Sequence, residues 1–337
     1  MRRPPLALSL GDPAGIGPEI VVKAWRALRE SGPAFVVIGD FETLASASPQ
    51  GASIVRRVTR PGEAHETFAH GVPVLDIPLQ GSVVAGRADP AYGSAVIRWI
   101  ETAAGLALSG EVSGVVTAPI AKAPLYAAGF NHPGHTEFLA ELTAPAGRSQ
   151  PVMMLSAGDL RTVLATIHIP VGQVATALRQ DHIVAVGQTT ARALRDDFGI
   201  SHPRLAMAAL NPHGGETGAL GREEIDIILP AAKALRALGV DCSDPKPADS
   251  LFHAEARARY DAVICMYHDQ ALIPVKMLDF WGGVNVTLGL PIVRTSPDHG
   301  VGFDIAGRGL ARPDSLIAAI RMAGEIAERR QGAAAAA

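Results

Sequence analysis

The sequence predicts an α/β protein built around a largely parallel sheet. Short apolar runs of β type alternate with amphipathic helical patterns over most of the 337 residues. Strands separated by helix-length segments read as crossover units, and crossovers pair strands in parallel. Runs such as Phe35–Ile38 and Ala262–Met266 are continuously apolar, as in strands buried on both faces. With 48% hydrophobic and 19% charged residues, the chain falls among soluble globular proteins and exceeds one typical domain.

The elements follow in order. Leu6–Leu10 is the first strand, and Gly11-Asp-Pro-Ala-Gly-Ile-Gly-Pro18 is the turn into a helix over Pro18–Arg29. Pro18 suits a first helical position. The turn matches neither Gly-x-Gly-x-x-Gly nor a Gly-Lys-Ser/Thr loop, so a tight structural turn is expected and a Rossmann site is not. Phe35–Ile38 is a strand. Ser46–Gly93 is rich in Gly, Pro and Ala with broken periodicity, and reads as peripheral strands and loops. A helix over Ser94–Leu108 and a strand over Gly114–Thr117 come next. Gly134 permits a turn, and His135-Thr136 opens a helix whose first N–H groups suit a phosphate, unless Thr136 is an ordinary cap. Strands at Val152–Leu155 and Val163–Ile167 precede a helix over His182–Asp197, with Asp181 as its expected N-cap. A strand at Leu205–Leu210 leads to a helix over Glu223–Leu238, closed by Gly239. Strands at Ala262–Met266 and Val284–Leu288 and a helix over Pro313–Arg329 complete the pattern. No internal repeat and no low-complexity linker is present.

Bulk properties narrow the function classes. A net charge of −3 speaks against a nucleic-acid partner. No apolar run reaches about 18 residues, so no membrane span is expected. The start, Met1-Arg-Arg-Pro-Pro5, lacks the apolar region and cleavage site of a signal peptide. Cys242 and Cys265 are far apart, match no redox or metal spacing, and fit a reducing cytoplasm.

Three histidines stand at the ends of apolar runs, each followed by a sharp turn: His168, His213 and His268. In open α/β sheets, ligands bind outside the carboxyl ends of strands. Three imidazoles at one such edge would hold a divalent metal with a position open for substrate. Asp249 and Asp269 are available to orient an imidazole or to act as a base; for Asp249 an N-cap role competes. Lys276, Asn285 and Arg294 flank apolar segments, where an anion clamp competes with internal salt bridges. Ser296–Gly307 is dense in Gly, Pro, Asp and His, a content common in functional loops.

The combination resembles a known family. Gly11-Asp-Pro-Ala-Gly-Ile-Gly-Pro-Glu19, Gly134-His-Thr-Glu-Phe138, Asn211-Pro-His213, Tyr267-His-Asp-Gln270 and Gly283-Val-Asn-Val-Thr-Leu-Gly-Leu-Pro291 look like the 4-hydroxythreonine-4-phosphate dehydrogenases of pyridoxal phosphate biosynthesis. The resemblance runs from about Leu6 to Ala327 in the same order. It implies the isocitrate/isopropylmalate dehydrogenase fold, two α/β lobes with a central cleft. The lobes are expected at 1–130 with 286–330, on the nucleotide side, and at 131–285, with metal, substrate and dimer contacts. It also implies a homodimer with the active site at the interface. One divalent metal per subunit, zinc, magnesium or cobalt, is expected on His168, His213 and His268. His135, Thr136, Lys276, Asn285 and Arg294 match substrate-binding positions. Asp298-His-Gly300 with Asp304-Ile-Ala-Gly307 resembles the adenosine loop of isopropylmalate dehydrogenases, which assigns NAD or NADP contact to His299, Gly300 and Asp304. The base is expected among Asp249, Asp269 and Lys276. Gly214 and Thr217 depart from a usual Ala and a usual Gly, Ser250 from Thr, and Val301-Gly302 from Thr-Ala. The implied reaction is NAD(P)-dependent oxidation of 4-phosphohydroxy-L-threonine followed by decarboxylation. A 4-phosphothreonate or 4-phosphoerythronate dehydrogenase, a metal-dependent hydrolase and a non-catalytic binding protein are the rivals.

Overall fold

A computed structural model describes residues 3–48, 50–144 and 151–336, so Met1, Arg2 and the last alanine lie outside the described residues. The chain divides into two compact units, Met1–Ser149 with Leu290–Glu328, and Gln150–Gly289 with Arg329–Ala337.

In the first unit the strands are β1 (Leu6–Ser9), β2 (Phe35–Gly39), β3 (Val55–Val58), β4 (Val72–Asp76), β5 (Val115–Thr117) and β12 (Arg294–Pro297). They run in the order β3-β4-β2-β1-β5-β12, and neighbours pair in parallel. The central strands β1 and β2 are buried throughout, which explains their apolar runs, interrupted only by Ser9 at the end of β1. Helix α1 (Gly17–Leu28) follows β1 with Pro18 in its first turn. Helix α2 (Gly93–Leu108) buries Trp99 and Ile100, and Trp99 Nε1 donates to Ile77 O at 2.9 Å.

In the second unit, β6 (Val152–Ala157), β7 (Leu160–Leu164), β8 (Arg204–Ala208), β9 (Asp241–Lys246), β10 (Ala262–Cys265) and β11 (Val284–Leu288) take the order β11-β6-β7-β10-β8-β9. β6 pairs antiparallel with both neighbours, and the rest are parallel. The reversal is made at Gly158-Asp159, where Gly158 has φ 57°, a backbone suited to glycine in a tight hairpin. The core under this sheet gathers Leu155, Leu160, Leu164, Val263, Cys265, Ala271 and Val275.

Several boundaries differ from expectation. Residues 131–144 belong to the first unit, because helix α3 (His135–Thr143) packs on α2 and Phe138 meets Phe130 edge to face at 4.9 Å. Val286–Leu288 stay in the second unit, held by the register Val284↔Ser156 to Leu288↔Val152. The strand expected over Val163–Ile167 ends at Leu164. The His182 helix, α4 (Gln180–Asp196), begins earlier; Arg179 is its N-cap residue, and Asp181 pairs with Arg179 at 2.6 Å instead of capping. The Glu223–Leu238 helix is a π-helical turn, Glu224–Ile228, running into α5 (Leu229–Ala237). Helix α6 (His268–Leu278) was not anticipated, and Pro274 inside it breaks the sequence signal. The final helix, α7 (Asp314–Ala336), continues into the alanine-rich end.

Candidate active site

The three histidines lie at one sheet edge of the second unit. β7, β10 and β8 are adjacent and parallel, and His168, His268 and His213 follow their carboxyl ends. His168 and His268 approach to a ring-centroid distance of 5.8 Å. His268 opens α6, and its Nδ1 meets Asp269 Oδ1 at 2.7 Å. A carboxylate on one ring nitrogen orients an imidazole and leaves the other for a cation. His213 sits elsewhere in conformational space. Residues 213–217 all have positive φ, from 43° at Glu216 to 79° at Gly215, so the turn after Asn211-Pro212 is left-handed. The donor types fit a divalent cation such as zinc or cobalt. Among the described residues, no three His, Cys, Asp or Glu side chains gather as a preformed metal set. The trio therefore shares an edge, while only His168 and His268 are drawn together.

Asn285 is on β11, and its Oδ1 is buried with no hydrogen-bond partner among the described residues. Lys276 is in the last turn of α6, its Nζ 5.3 Å from the Phe280 ring centroid. Asp249 is exposed in the short 3-10 turn Ala248–Ser250 and caps no helix.

The first unit holds a buried cation of its own. Arg294, on β12, is only 3% exposed, and Nη2 donates to Thr117 Oγ1 at 2.8 Å. Burial pushes its guanidinium down to about 10 against the opposing pull of Glu137, so it stays charged at neutral pH. His135 opens α3 behind Gly134, the N-cap residue, and Thr136 is buried in the first turn rather than capping. Burial first, and Arg294 second, hold the His135 imidazole well below its usual range, so it is neutral. Its Nε2 is buried and lacks a hydrogen-bond partner among the described residues. A charged guanidinium beside a neutral imidazole is a receptor for an anion that also carries a hydrogen-bonding group. Thr117 was passed over in the sequence; nothing short-range links it to Arg294.

The N-terminal turn is structural, as expected. Asp12 Oδ1 accepts from Ala14 N at 2.9 Å, burial raises its carboxyl, and Ile16 N donates to Val301 O at 2.9 Å. Gly15 has no room for a Cβ, which would lie 2.2 Å from Val301 Cγ1. Glu19 accepts from Ala311 N at 3.0 Å and pairs with Lys23 at 2.7 Å, which fastens α1 to the 309–311 segment. Beside it, a cleft of about 560 Å³ is lined by Pro13, Gly15, Glu19, Thr43, Ser46 and Gly307–Gly309, among others. His299 and Gly300 are exposed at the other end of the loop and do not line this cleft, nor does Asp304.

Fold and site define an α/β dehydrogenase of the isocitrate dehydrogenase-like type. The family model of the pyridoxal phosphate biosynthetic protein PdxA matches residues 32–323, and the chain belongs to that family. A 4-hydroxythreonine-4-phosphate dehydrogenase of Caulobacter vibrioides is 69% identical over 329 residues, 97% of this chain and 98% of that protein. The crystal structure of a 4-hydroxythreonine-4-phosphate dehydrogenase from Klebsiella pneumoniae matches with a TM-score of 0.85 at 40% identity, covering 96% of this chain and 99% of the other. A terephthalate 1,2-cis-dihydrodiol dehydrogenase from Burkholderia xenovorans matches at 0.64 and 32% identity, covering 96% and 98%.

Proposed function

We propose that the protein oxidises 4-phosphohydroxy-L-threonine with NAD or NADP to 2-amino-3-oxo-4-phosphohydroxybutanoate, which decarboxylates to 3-amino-2-oxopropyl phosphate. The observation that carries this reading is the buried Arg294 guanidinium beside the unpartnered Nε2 of His135. Such a pair suits an anionic end group. Arg294, His135 and Thr136 bind and orient the anion, and Lys276 of the second unit is a further substrate-binding cation. Asn285 offers its buried Oδ1 to a donor on the substrate, the role an ammonium group fills. Orientation of a substrate by such a clamp supplies several kcal/mol of barrier reduction.

His168, His213 and His268 are the residues that would hold a divalent zinc, magnesium or cobalt ion. When bound, the cation supplies Lewis acidity at the substrate oxygen, and the nicotinamide supplies a hydride acceptor. Asp269 Oδ1 orients His268, and the proton of the substrate hydroxyl goes to Asp249 or to the second oxygen of Asp269, since a cationic Lys276 has no lone pair to accept it. The 298–309 loop, with His299, Gly300 and Asp304, faces the cofactor. A nucleotide-sized cleft at the loop's Gly307–Gly309 end supports cofactor contact for that end of the loop, while His299, Gly300 and Asp304 lie outside the cleft.

The same reading makes the working form a homodimer in the cytoplasm. Ile273 (64% exposed), Met277 (88%), Phe280 (59%) and Trp281 (50%) form an apolar stretch along and beyond α6, the helix that His268 opens. Exposed apolar patches of this kind mark association surfaces. Among the described residues no helix is long and apolar enough to cross a membrane. Cys242 and Cys265 are both free and buried, as suits a reducing compartment.

The deciding experiment is NAD(P)H absorbance with 4-phosphohydroxy-L-threonine, with and without a chelator. Chelator-sensitive reduction is expected. Faster turnover of 4-phosphothreonate favours the sugar-acid reading, and phosphate release without nicotinamide favours a hydrolase.

A further inference from the structure

The strand ends that lead to the three histidines are tied together beyond their ladders by side chains outside the ligand set. Thr166 Oγ1 donates to Met266 O at 2.6 Å, joining the end of β7 to the end of β10. Gln270 accepts at Oε1 from Met266 N at 2.7 Å and donates from Nε2 to Ala209 O at 2.8 Å, joining β10 to β8. Glu224 accepts at Oε1 from Leu210 N at 2.8 Å and from Asn211 N at 2.7 Å, and at Oε2 from Asn211 Nδ2 at 2.9 Å. The line of bonds thus runs from the end of β7 to the turn that carries His213.

Its placement follows the histidines. Thr166, Met266 and Asn211 are tied, and His168, His268 and His213 each stand two residues further on. Gln270 and Glu224 are 8% and 5% exposed, so their polar atoms are committed to these bonds and screened little by water. A buried amide that spans two neighbouring strand ends sets the distance between them. Glu224 also holds the left-handed turn that carries His213 itself.

We propose that Thr166, Gln270 and Glu224 are positioning residues that set the spacing of the three histidines, so that affinity for a divalent cation depends on side chains that do not touch it. The inference rests on the metal-binding reading of the histidine trio. Groups that hydrogen-bond a metal ligand directly change metal affinity by about 10- to 100-fold when removed, and the strand-end ties, one step further out, are expected to act on that scale.

The test is a cobalt(II) titration of the full chain, read by calorimetry and by the visible absorption of the bound ion, alongside thermal melts without metal. Gln270→Leu keeps the volume and removes both bonds. It is expected to melt cooperatively, to bind cobalt(II) about 10- to 100-fold more weakly, and to regain turnover at saturating metal. Glu224→Gln keeps an acceptor for the two backbone N–H groups and is expected to weaken binding less. If Gln270→Leu fails to fold, Glu224→Gln and Thr166→Val carry the same reading. Folded variants that bind cobalt(II) as tightly as the unaltered chain overturn the proposal and leave the metal reading standing. An unaltered chain that binds cobalt(II) no better than His213→Ala overturns both.

Discussion

Thr217 is the place where the His213 turn is least comfortable, and replacing it should make the protein more stable. Its φ is 55° and its ψ 26°, a conformation that a β-branched residue rarely adopts. The left-handed backbone costs an L residue roughly 1–2 kcal/mol, with Thr at the upper end. The hydroxyl recovers little, since its bond to Glu216 O is fully at the surface. Thr217→Gly removes the strain and gives back about 0.4–1 kcal/mol in greater freedom of the unfolded chain. The net is a gain of about 0.5–1 kcal/mol, or a rise of about 1–4 °C in Tm. Gly215→Ala is the opposite experiment. At φ 79°, its new Cβ would stand 2.6 Å from Glu224 Oε2 and 2.9 Å from Gly221 O. Strain and displacement of Glu224 together should destabilise by about 2–4 kcal/mol. Calorimetric melts of the metal-free proteins decide the matter. A Thr217→Gly protein that melts at or below the unaltered chain, or a Gly215→Ala protein that melts with it, would refute the left-handed turn as the resting conformation.

Other outcomes follow from the same geometry. Arg294→Ala should raise KM for the phosphorylated substrate by at least about 30-fold, the worth of one charge-assisted hydrogen bond, and an unchanged KM would place the clamp elsewhere. His213→Ala, an exposed substitution, should abolish cobalt(II) binding and turnover while leaving the melting of the metal-free chain nearly unaltered. His135 should make stability fall on acidification. Its folded imidazole resists protonation, whereas the unfolded one takes a proton near the ordinary value of 6.5. Below that pH the unfolded state therefore binds more protons and gains ground; above it the effect vanishes. Chemical denaturation of His135→Gln between about pH 7 and about pH 5 should show a shallower loss than the unaltered chain, and equal slopes would contradict the burial of the ring.

How much of this could be read from the residues depended on burial. β2, β6, β8 and β10 stand where apolar runs placed them, because strands covered on both faces need apolar residues at nearly every position, and β1, β5 and β11 were legible despite Ser9, Thr117, Asn285 and Thr287. β3 and β4 were expected only as unplaced peripheral strands within Ser46–Gly93, and β9 escaped notice. Val-Arg-Arg-Val turns its middle pair to solvent, and Asp-Cys-Ser-Asp-Pro-Lys is an edge strand with polar residues and a proline. β12 was hidden for another reason: it begins with Arg294, so the charge that serves the site disguised the strand. The candidate site shows the same division. The histidines were found because strand ends are visible in sequence. Thr117, Glu224 and Gln270 act on residues or main-chain atoms that only the fold brings near, and Thr117 stands 177 positions from Arg294.

The order of strands around the histidines has a consequence for how the chain comes to life on the ribosome. β7 and β8 are made first, but they are not neighbours; β10, made later, lies between them. Synthesis proceeds from the amino end at about 5–20 residues per second. His168 and His213 therefore emerge while the strand that separates and aligns them does not yet exist. A cation meeting the growing polypeptide finds ligands without a frame. If the proposed histidine site holds a cation, its loading is a late event in the birth of this enzyme, reserved for chains translated past Gln270 in which β10 has slipped into its gap.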